Sequence, residues 1–509
     1  MSNGRETKVS APVWSHSPEE TGEIRERLVA FCAGRDVEPL PACDEALLHE
    51  DLATNEASTL ALCAAGVFSR KEAAEICSAL QHLRREIEQG YIRLDPRYED
   101  VHINIEELLR AYAGEVAGKI HSGRSRNDQV ACDIRLWQRD RVLAHLGNLI
   151  ETIRAFIQRA EAEKATVMPG FSHHQRAFVT TFGHLLAAHA EAWLRDVERG
   201  LALFSRINRC PLGAAAGFGT SWPIDRDQLA SFLGFEGLIE NSLDAVSSRL
   251  EVEADVAGWI ALWMTHCSAL AQDLILFSME EFRWVCLSPE TTTGSSIMPQ
   301  KRNPDFAEVI KGKTALAHGA LASLLSLGKG QPSGYHRDSQ YSKQIGQDLW
   351  GEAFQIPEIL RIVIETAELD RERMRAATRG GFLEAAEWAD YIAREAKIPF
   401  REVYTAIGQA VDRARKKGRL DARTVNATLK ERGISYRVDE KAAARFESPE
   451  GLLAARATKG SPNPSLAEAH LTRLRSEVEK HAKAIRAAER KISAAEKSRL
   501  AEIARLAKG

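Results

Sequence analysis

Apolar residues keep to one helical face over very long stretches of this chain. From Gln129 onward they recur at Val130, Ile134, Trp137, Val142, Leu146, Leu149, Ile153 and Phe156, in steps that keep one side of a helix apolar. Leu185, His189, Trp193, Val197, Leu201 and Phe204 mark a second helix, and the same spacing predicts helices over 249–285, 305–327 and 346–376. Several exceed the usual globular length, so the pattern predicts a bundle of long helices. Alternating runs are few and no glycine-rich strand-to-helix turn occurs, which argues against a Rossmann or barrel architecture.

Breaks in the pattern set the organisation. Shorter helices with proline-rich joints ("DVEPLPACDE", "RLDPRYEDVH") precede the long block, and shorter helices resume after "TRGGFLEAAEWA". The expected units are an N-terminal helical domain over 1–128, a central long-helix domain over 129–378 and a C-terminal helical domain over 379–509. The last of these ends in an Ala/Lys/Glu/Arg-rich helix from Leu471, read as solvated or as an oligomer-edge extension. The fold class is all-α.

Charge and composition narrow the partners. Lys and Arg total 68 against 71 Asp and Glu, so no global charge favours nucleic acid or an acidic membrane surface. The most apolar window, "VAGWIALWMTHCSALAQ" from Val256, carries Thr, His, Ser and Gln and reads as a helix buried in a bundle. The first residues lack the order of a signal peptide, and the eight cysteines show no metal-ligand spacing. A cytoplasmic protein with reduced thiols is expected.

Three polar stretches interrupt the helices: "HSGRSRNDQVACD", "MPGFSHHQRAF" and "TTTGSSIMPQKRNPDFAEVI". Each is expected to end at a helix N-terminus, with Ser125 to Asp128 before a helix near Gln129, Ser172 and Gln175 in capping-box spacing, and Asn303 as a cap before Pro304. Capping alone is the plain explanation. Arg126, His173 and Lys301 add nothing to a cap, yet would stand beside free N–H groups and the positive end of a helix dipole. Three such ends brought together would hold a small, multiply charged anion, a dicarboxylate or a phosphate.

"GSSIMPQKRNPD" is similar to the signature of the fumarase/aspartase superfamily. "GKIHSGRSRNDQVACD", "VMPGFSHHQRA", "CPLGAAAGFGTSWPIDR", "NSLDAVSSR", "GQPSGYHRDSQYSK" and "ADYIAREAKIPFREVYTAIGQAV" resemble its argininosuccinate lyase branch, in order, across roughly residues 44–470. The resemblance implies a three-domain all-α subunit whose long central helices assemble into a homotetramer, each active site being built by motifs from three subunits. It implies elimination of an amine from an N-substituted aspartate to give fumarate, with neither metal nor organic cofactor.

The site residues carry over by position. Ser295 matches the general base, Lys301 and Asn303 the groups that stabilise the developing carboxylate charge, and His173 a histidine that assists proton transfer or orients the substrate. Ser125, Arg126 and Asn127 match a carboxylate-binding run. Ser172, Ser296, Tyr335, Gln340, Lys343, His102 and Asp44 match substrate contacts, while His174 reads as packing or capping. Gly294 would give the loop a hinge.

Departures from the pattern gather around the departing amine. No "LWGGRF" is present, Leu40 stands where a serine is usual four residues before Asp44, Tyr341-Ser342 follow Gln340 where acids are common, and Leu250 replaces an aspartate, while Ser172 beside His173 stands where a threonine is usual. Argininosuccinate is the default substrate. An aminopolycarboxylate of the ethylenediamine-disuccinate type is the alternative, adenylosuccinate fits less well, and a crystallin-like structural protein is the non-enzymatic reading.

Overall fold

The computed structural model describes Arg27, Leu28, Phe31 and residues 42–508. Three helices, α1 (Leu48–Ala64), α2 (Arg70–Glu88) and α3 (Val101–Ala113), lead into the long α4 (Arg126–Ala162). A hairpin of β1 (Val167–Ser172) and β2 (Gln175–Thr181) follows, then α5 (Phe182–Ile207), α6 (Arg249–Ser278) and α7 (Asp305–Gly328). Apart from the hairpin, the strands among the described residues are two-residue ladders, so the chain is all-α as expected.

The apolar faces read from the sequence form the core. Val142, Leu146, Leu149, Ile153 and Phe156 of α4 bury against Trp193 and Val197 of α5 and against Val256, Ile260 and Trp263 of α6. Phe156 and Trp193 lie 5.1 Å apart between ring centroids, and Trp193 meets Trp263 edge-on at 5.7 Å, a favoured aromatic geometry. By length and composition alone α6 could cross a membrane, and half of its most apolar window (50%) is buried inside the bundle.

The helix expected over 346–376 is broken. It forms α8 (Tyr341–Ala353), α9 (Ile356–Thr366) and α10 (Arg371–Ala377). Pro357, at the start of α9, has no N–H to continue a helix from α8, and Glu368–Leu369 pairs with Val285–Cys286. α6 likewise stops at Ser278, before the expected 285, where Met279 turns to an extended backbone.

A second core lies around Leu383, Trp388, Ile392, Val403, Ile407 and Phe446, and Val167 and Val179 of the hairpin join it. The terminal helix α11 (Pro464–Leu506) does not join that core. Its Leu471, Leu474, Val478, Ala482 and Ile485 bury into the main core instead, so this helix is more than a solvated extension.

Candidate active site

The first polar stretch folds as a helix start. Ser125 is the N-cap of α4: its hydroxyl accepts from Asn127 N at 3.2 Å, while the Asp128 carboxylate accepts from Ser125 N at 2.9 Å. Asp128 also accepts from Gly213 N and Ala215 N, both at 2.9 Å, although burial raises its pKa. The helix begins at Arg126, three residues before the expected position. Arg126 and Asn127 thereby stand on its first turn, where the Ser125 hydroxyl takes up the Asn127 N–H.

There they line a cavity of about 810 Å³, with Asp44, Asp95, Glu99, Asp100, Arg249, Tyr335, Arg337, Gln340 and Lys343 around it. Lys343 pairs with Asp44, whose carboxylate also accepts from Val101 N at 3.2 Å. Arg337 donates to Glu99 at 2.7 Å and Arg126 donates to the other Glu99 oxygen at 3.3 Å. Arg337, and after it Arg126, hold the Glu99 carboxyl below the usual range. Arg249 lies 5.0 Å over the Tyr335 ring. Cations and carboxylates thus face each other across one concave surface, which suits a zwitterionic substrate carrying both signs.

The cavity brings together the expected Asp44, Arg126, Asn127, Tyr335, Gln340 and Lys343, and adds Arg249, Arg337 and Glu99, which the sequence did not single out. Arg249 and Arg337 sat inside quoted motifs, and Glu99 shows its part only through pairing to two separated arginines.

His102 is placed differently. It does not line the cavity: it is 1% exposed, with its Nδ1 2.6 Å from Asp51 Oδ1 and 3.7 Å from Asp133 Oδ2. Although burial opposes it, His102 and Arg124 hold the Asp51 carboxyl below its usual range. Burial and the neighbouring Asp51 push Asp133 well up. Thr54 donates to Asp133 at 2.6 Å, and Gln129 to Asp51 at 2.7 Å. The group is a buried polar network between α1, α3 and α4.

The second stretch is not a helix start. Ser172 pairs with Gln175 across the hairpin, leaving His173 and His174 as its two-residue turn. Both have positive φ, 53° and 59°, the geometry of a turn that suits the right-handed twist of paired strands. Both are exposed, so His174 is neither packed nor a cap, and the dipole argument does not apply to His173. The helix starts later, at Phe182, capped by Thr181, which accepts from His184 N at 3.0 Å. Alternation in "VMPGFS" and "QRAFVTT" was interrupted by proline, glycine and a register shift at Gly170/Phe171, which hid the strands from periodicity.

The third stretch is a closed loop. Thr293–Gly294 pairs with Arg302–Asn303, and Thr293 donates to Asp305. Asn303 is a ladder residue rather than the cap of α7; Pro304 occupies that place without a side-chain bond. Gly294 sits in the same ladder. The half-buried Ser295 accepts from Met298 N at 3.1 Å and Ile297 N at 3.4 Å, while Ser296 and Lys301 are exposed. Neither Ser295, Ser296, Lys301 and Asn303 nor Ser172 and His173 line the cavity of the single chain. Leu40 lies outside the described residues.

A lyase family model matches residues 43–319, and a model of the argininosuccinate lyase C-terminal region matches residues 382–450. The argininosuccinate lyase of Alkalilimnicola ehrlichii is 43% identical over 380 residues, 74% of this chain and 80% of that one. That of Aromatoleum aromaticum is 40% identical over 439 residues, 85% of this chain and 92% of its own.

The chain belongs to the argininosuccinate lyase branch of the fumarase/aspartase superfamily.

Among solved structures, an EDDS lyase in complex with formate superposes on this lyase with a TM-score of 0.85, covering 96% of this chain and 97% of that one at 26% identity. A class II fumarase from Schistosoma mansoni, 16% identical, covers 84% of this chain and 94% of its own with a TM-score of 0.66 and shares the fold. The lyase is thus a carbon–nitrogen lyase that releases fumarate. The family C-terminal match ends at 450, before α11 begins.

Proposed function

We propose that this protein cleaves argininosuccinate to arginine and fumarate in the cytoplasm, as a homotetramer with shared active sites. The observation that carries the reading is the convergence of Asp44, Arg126, Asn127, Tyr335, Gln340 and Lys343 on one cavity of mixed charge. Argininosuccinate brings three carboxylates, an ammonium and a substituted guanidinium, so both signs of the wall find partners.

In this reading the Ser295 oxygen removes a proton from the succinyl carbon next to a carboxylate. A serine is a weak base until its alkoxide is stabilised, and the Met298 and Ile297 amides already donate to that oxygen. The electron pair moves into the adjacent carboxylate, where Lys301 and Asn303 stabilise the doubly charged form. The C–N bond then breaks as this charge collapses to the fumarate double bond, and the departing nitrogen takes up a proton. His173 orients the substrate or assists that transfer.

The serine loop and the histidine turn are apart from the cavity in one chain, which supports a site completed by neighbouring copies. A second reading, an aminopolycarboxylate of the ethylenediamine-disuccinate type, draws on the likeness to EDDS lyase and on Tyr341, Ser342 and Leu250 near the cavity. The higher identity to argininosuccinate lyases favours the first. A panel of N-substituted aspartates, assayed by ultraviolet absorbance of fumarate, tests both. Argininosuccinate should give the highest kcat/KM, and a higher value for the ethylenediamine adduct would replace the first reading with the second.

A further inference from the structure

Behind the cavity wall lies a carboxyl group that the reaction outlined above does not use. Glu253 of α6 is 1% exposed and sits one helical turn beyond Arg249, the residue stacked on Tyr335. Its Oε1 is 2.5 Å from the hydroxyl of Ser342, which is fully buried in the first turn of α8. The same hydroxyl is 2.8 Å from the carbonyl oxygen of Ser339. Ser339 in turn belongs to the Arg337–Gln340 turn, which its own N–H and hydroxyl close onto His336 O at 3.1 and 2.8 Å.

Proton counting decides how this chain runs. A serine hydroxyl has one hydrogen, yet Ser342 stands within bonding distance of two oxygens. With Glu253 ionised, both would be acceptors competing for that hydrogen. With Glu253 protonated, its O–H donates to Ser342, Ser342 donates to Ser339, and each contact has its hydrogen. Glu253 Oε2 is also buried without a partner, a costly place for a carboxylate oxygen. Burial raises the Glu253 pKa despite the Ser342 hydrogen bond and the charges of Arg249 and Arg135.

We propose that Glu253 is a positioning residue for the lyase reaction, donating as a neutral carboxyl through Ser342 to Ser339 and so fixing the segment that presents Tyr335, Gln340 and Lys343 to the cavity. The link runs from the rigid middle of the bundle to a stretch that is otherwise irregular between Gly328 and Tyr341. It does not touch substrate. Its loss should loosen three cavity side chains together while leaving the Ser295 loop intact.

The inference rests on the lyase reading, and its test uses Glu253→Gln, Glu253→Leu and Ser342→Ala in the full-length protein. Fumarate release is measured beside amide hydrogen exchange over 335–343. Glutamine keeps an N–H that can donate to Ser342, so its KM should stay within about threefold of the parent, whereas leucine should raise KM about tenfold with kcat little changed, the size of one lost hydrogen bond. Ser342→Ala should reproduce the leucine result, and both should speed exchange in the segment. If Glu253→Leu fails to fold by circular dichroism, Ser342→Ala carries the same test. Unchanged KM and exchange in Ser342→Ala would overturn the proposal, as would a glutamine variant as impaired as leucine. A parent protein that releases no fumarate from any N-substituted aspartate would refute the functional reading instead, and exchange would still report on the positioning.

Discussion

Lys343 and Asp44, 299 positions apart, form an ion pair at the cavity wall that ties the first turn of α8 to the segment preceding α1. Both side chains are largely buried, at 11% and 13% exposure, so losing one leaves the other without its partner away from water. Lys343→Met should raise KM for argininosuccinate by about 10- to 100-fold, the 1.5–3 kcal/mol of a hydrogen bond to a charged group. Parallel melting curves separate binding from folding: a fall in melting temperature with unchanged KM would make the pair purely structural.

If neighbouring copies complete each site, two impaired variants should rescue each other when assayed at substrate well below KM. Mixing Ser295→Ala with Lys343→Met subunits, by unfolding and refolding together, should regenerate some sites with both residues intact. Fumarate release from the mixture well above that of either variant alone is expected. Activity no higher than the average of the two would place all the residues within one chain.

The terminal helix is bolted down by charge as well as by its apolar face. Arg499 donates to the buried Glu56 at 2.9 Å and to Phe232 O at 2.8 Å, while Arg84 donates to the other Glu56 oxygen at 2.9 Å. Removing one partner of a buried pair leaves a desolvated charge. Arg499→Ala should therefore cost about 3 kcal/mol, near the lower end of such losses because Arg84 remains. Denaturant unfolding checks this, and a loss below about 0.5 kcal/mol would show that α11 is held by apolar contacts alone.

His145 is buried with neither ring nitrogen hydrogen-bonded, edge-on to Trp263 at 4.6 Å, and burial lowers its pKa to about 3. Its unfolded value is about 6.5, so between these values the unfolded chain binds more protons. Stability contributed by the neutral ring is thus whole above about pH 6.5 and falls by about 1.4 kcal/mol per unit on acidification toward 3. His145→Phe should flatten that part of the stability curve. An identical slope in the variant would mean the ring is protonated in the folded protein.

The helices of the bundle were legible because their apolar faces repeat over many turns: Val142 to Phe156 and Trp193 to Phe204 lie where the spacing put them. Ser125 and Asp128 were equally readable, since a capping box is a local pattern. The β-hairpin was not. Its strands are short, Pro169 and Gly170 break the alternation, and two histidines fill a turn where glycine or asparagine would have announced it. His102 was misplaced for another reason: the position in a motif says nothing of depth, and only Asp51 and Asp133, from other helices, show that its ring is enclosed. Ser295 and His173 stand on the loop and turn their motifs occupy, apart from the cavity residues of the same chain.

Fumarate release from argininosuccinate by the purified protein and its Ser295→Ala variant tests the central claim most directly. The parent should reach a kcat/KM of about 10⁴ M⁻¹s⁻¹ or above. The variant, with its fold and assembly intact by circular dichroism and light scattering, should lose on the order of a thousandfold in kcat, the size expected when a general base is lost. A parent that leaves argininosuccinate uncleaved, or a Ser295→Ala protein that keeps most of its turnover, would contradict the account.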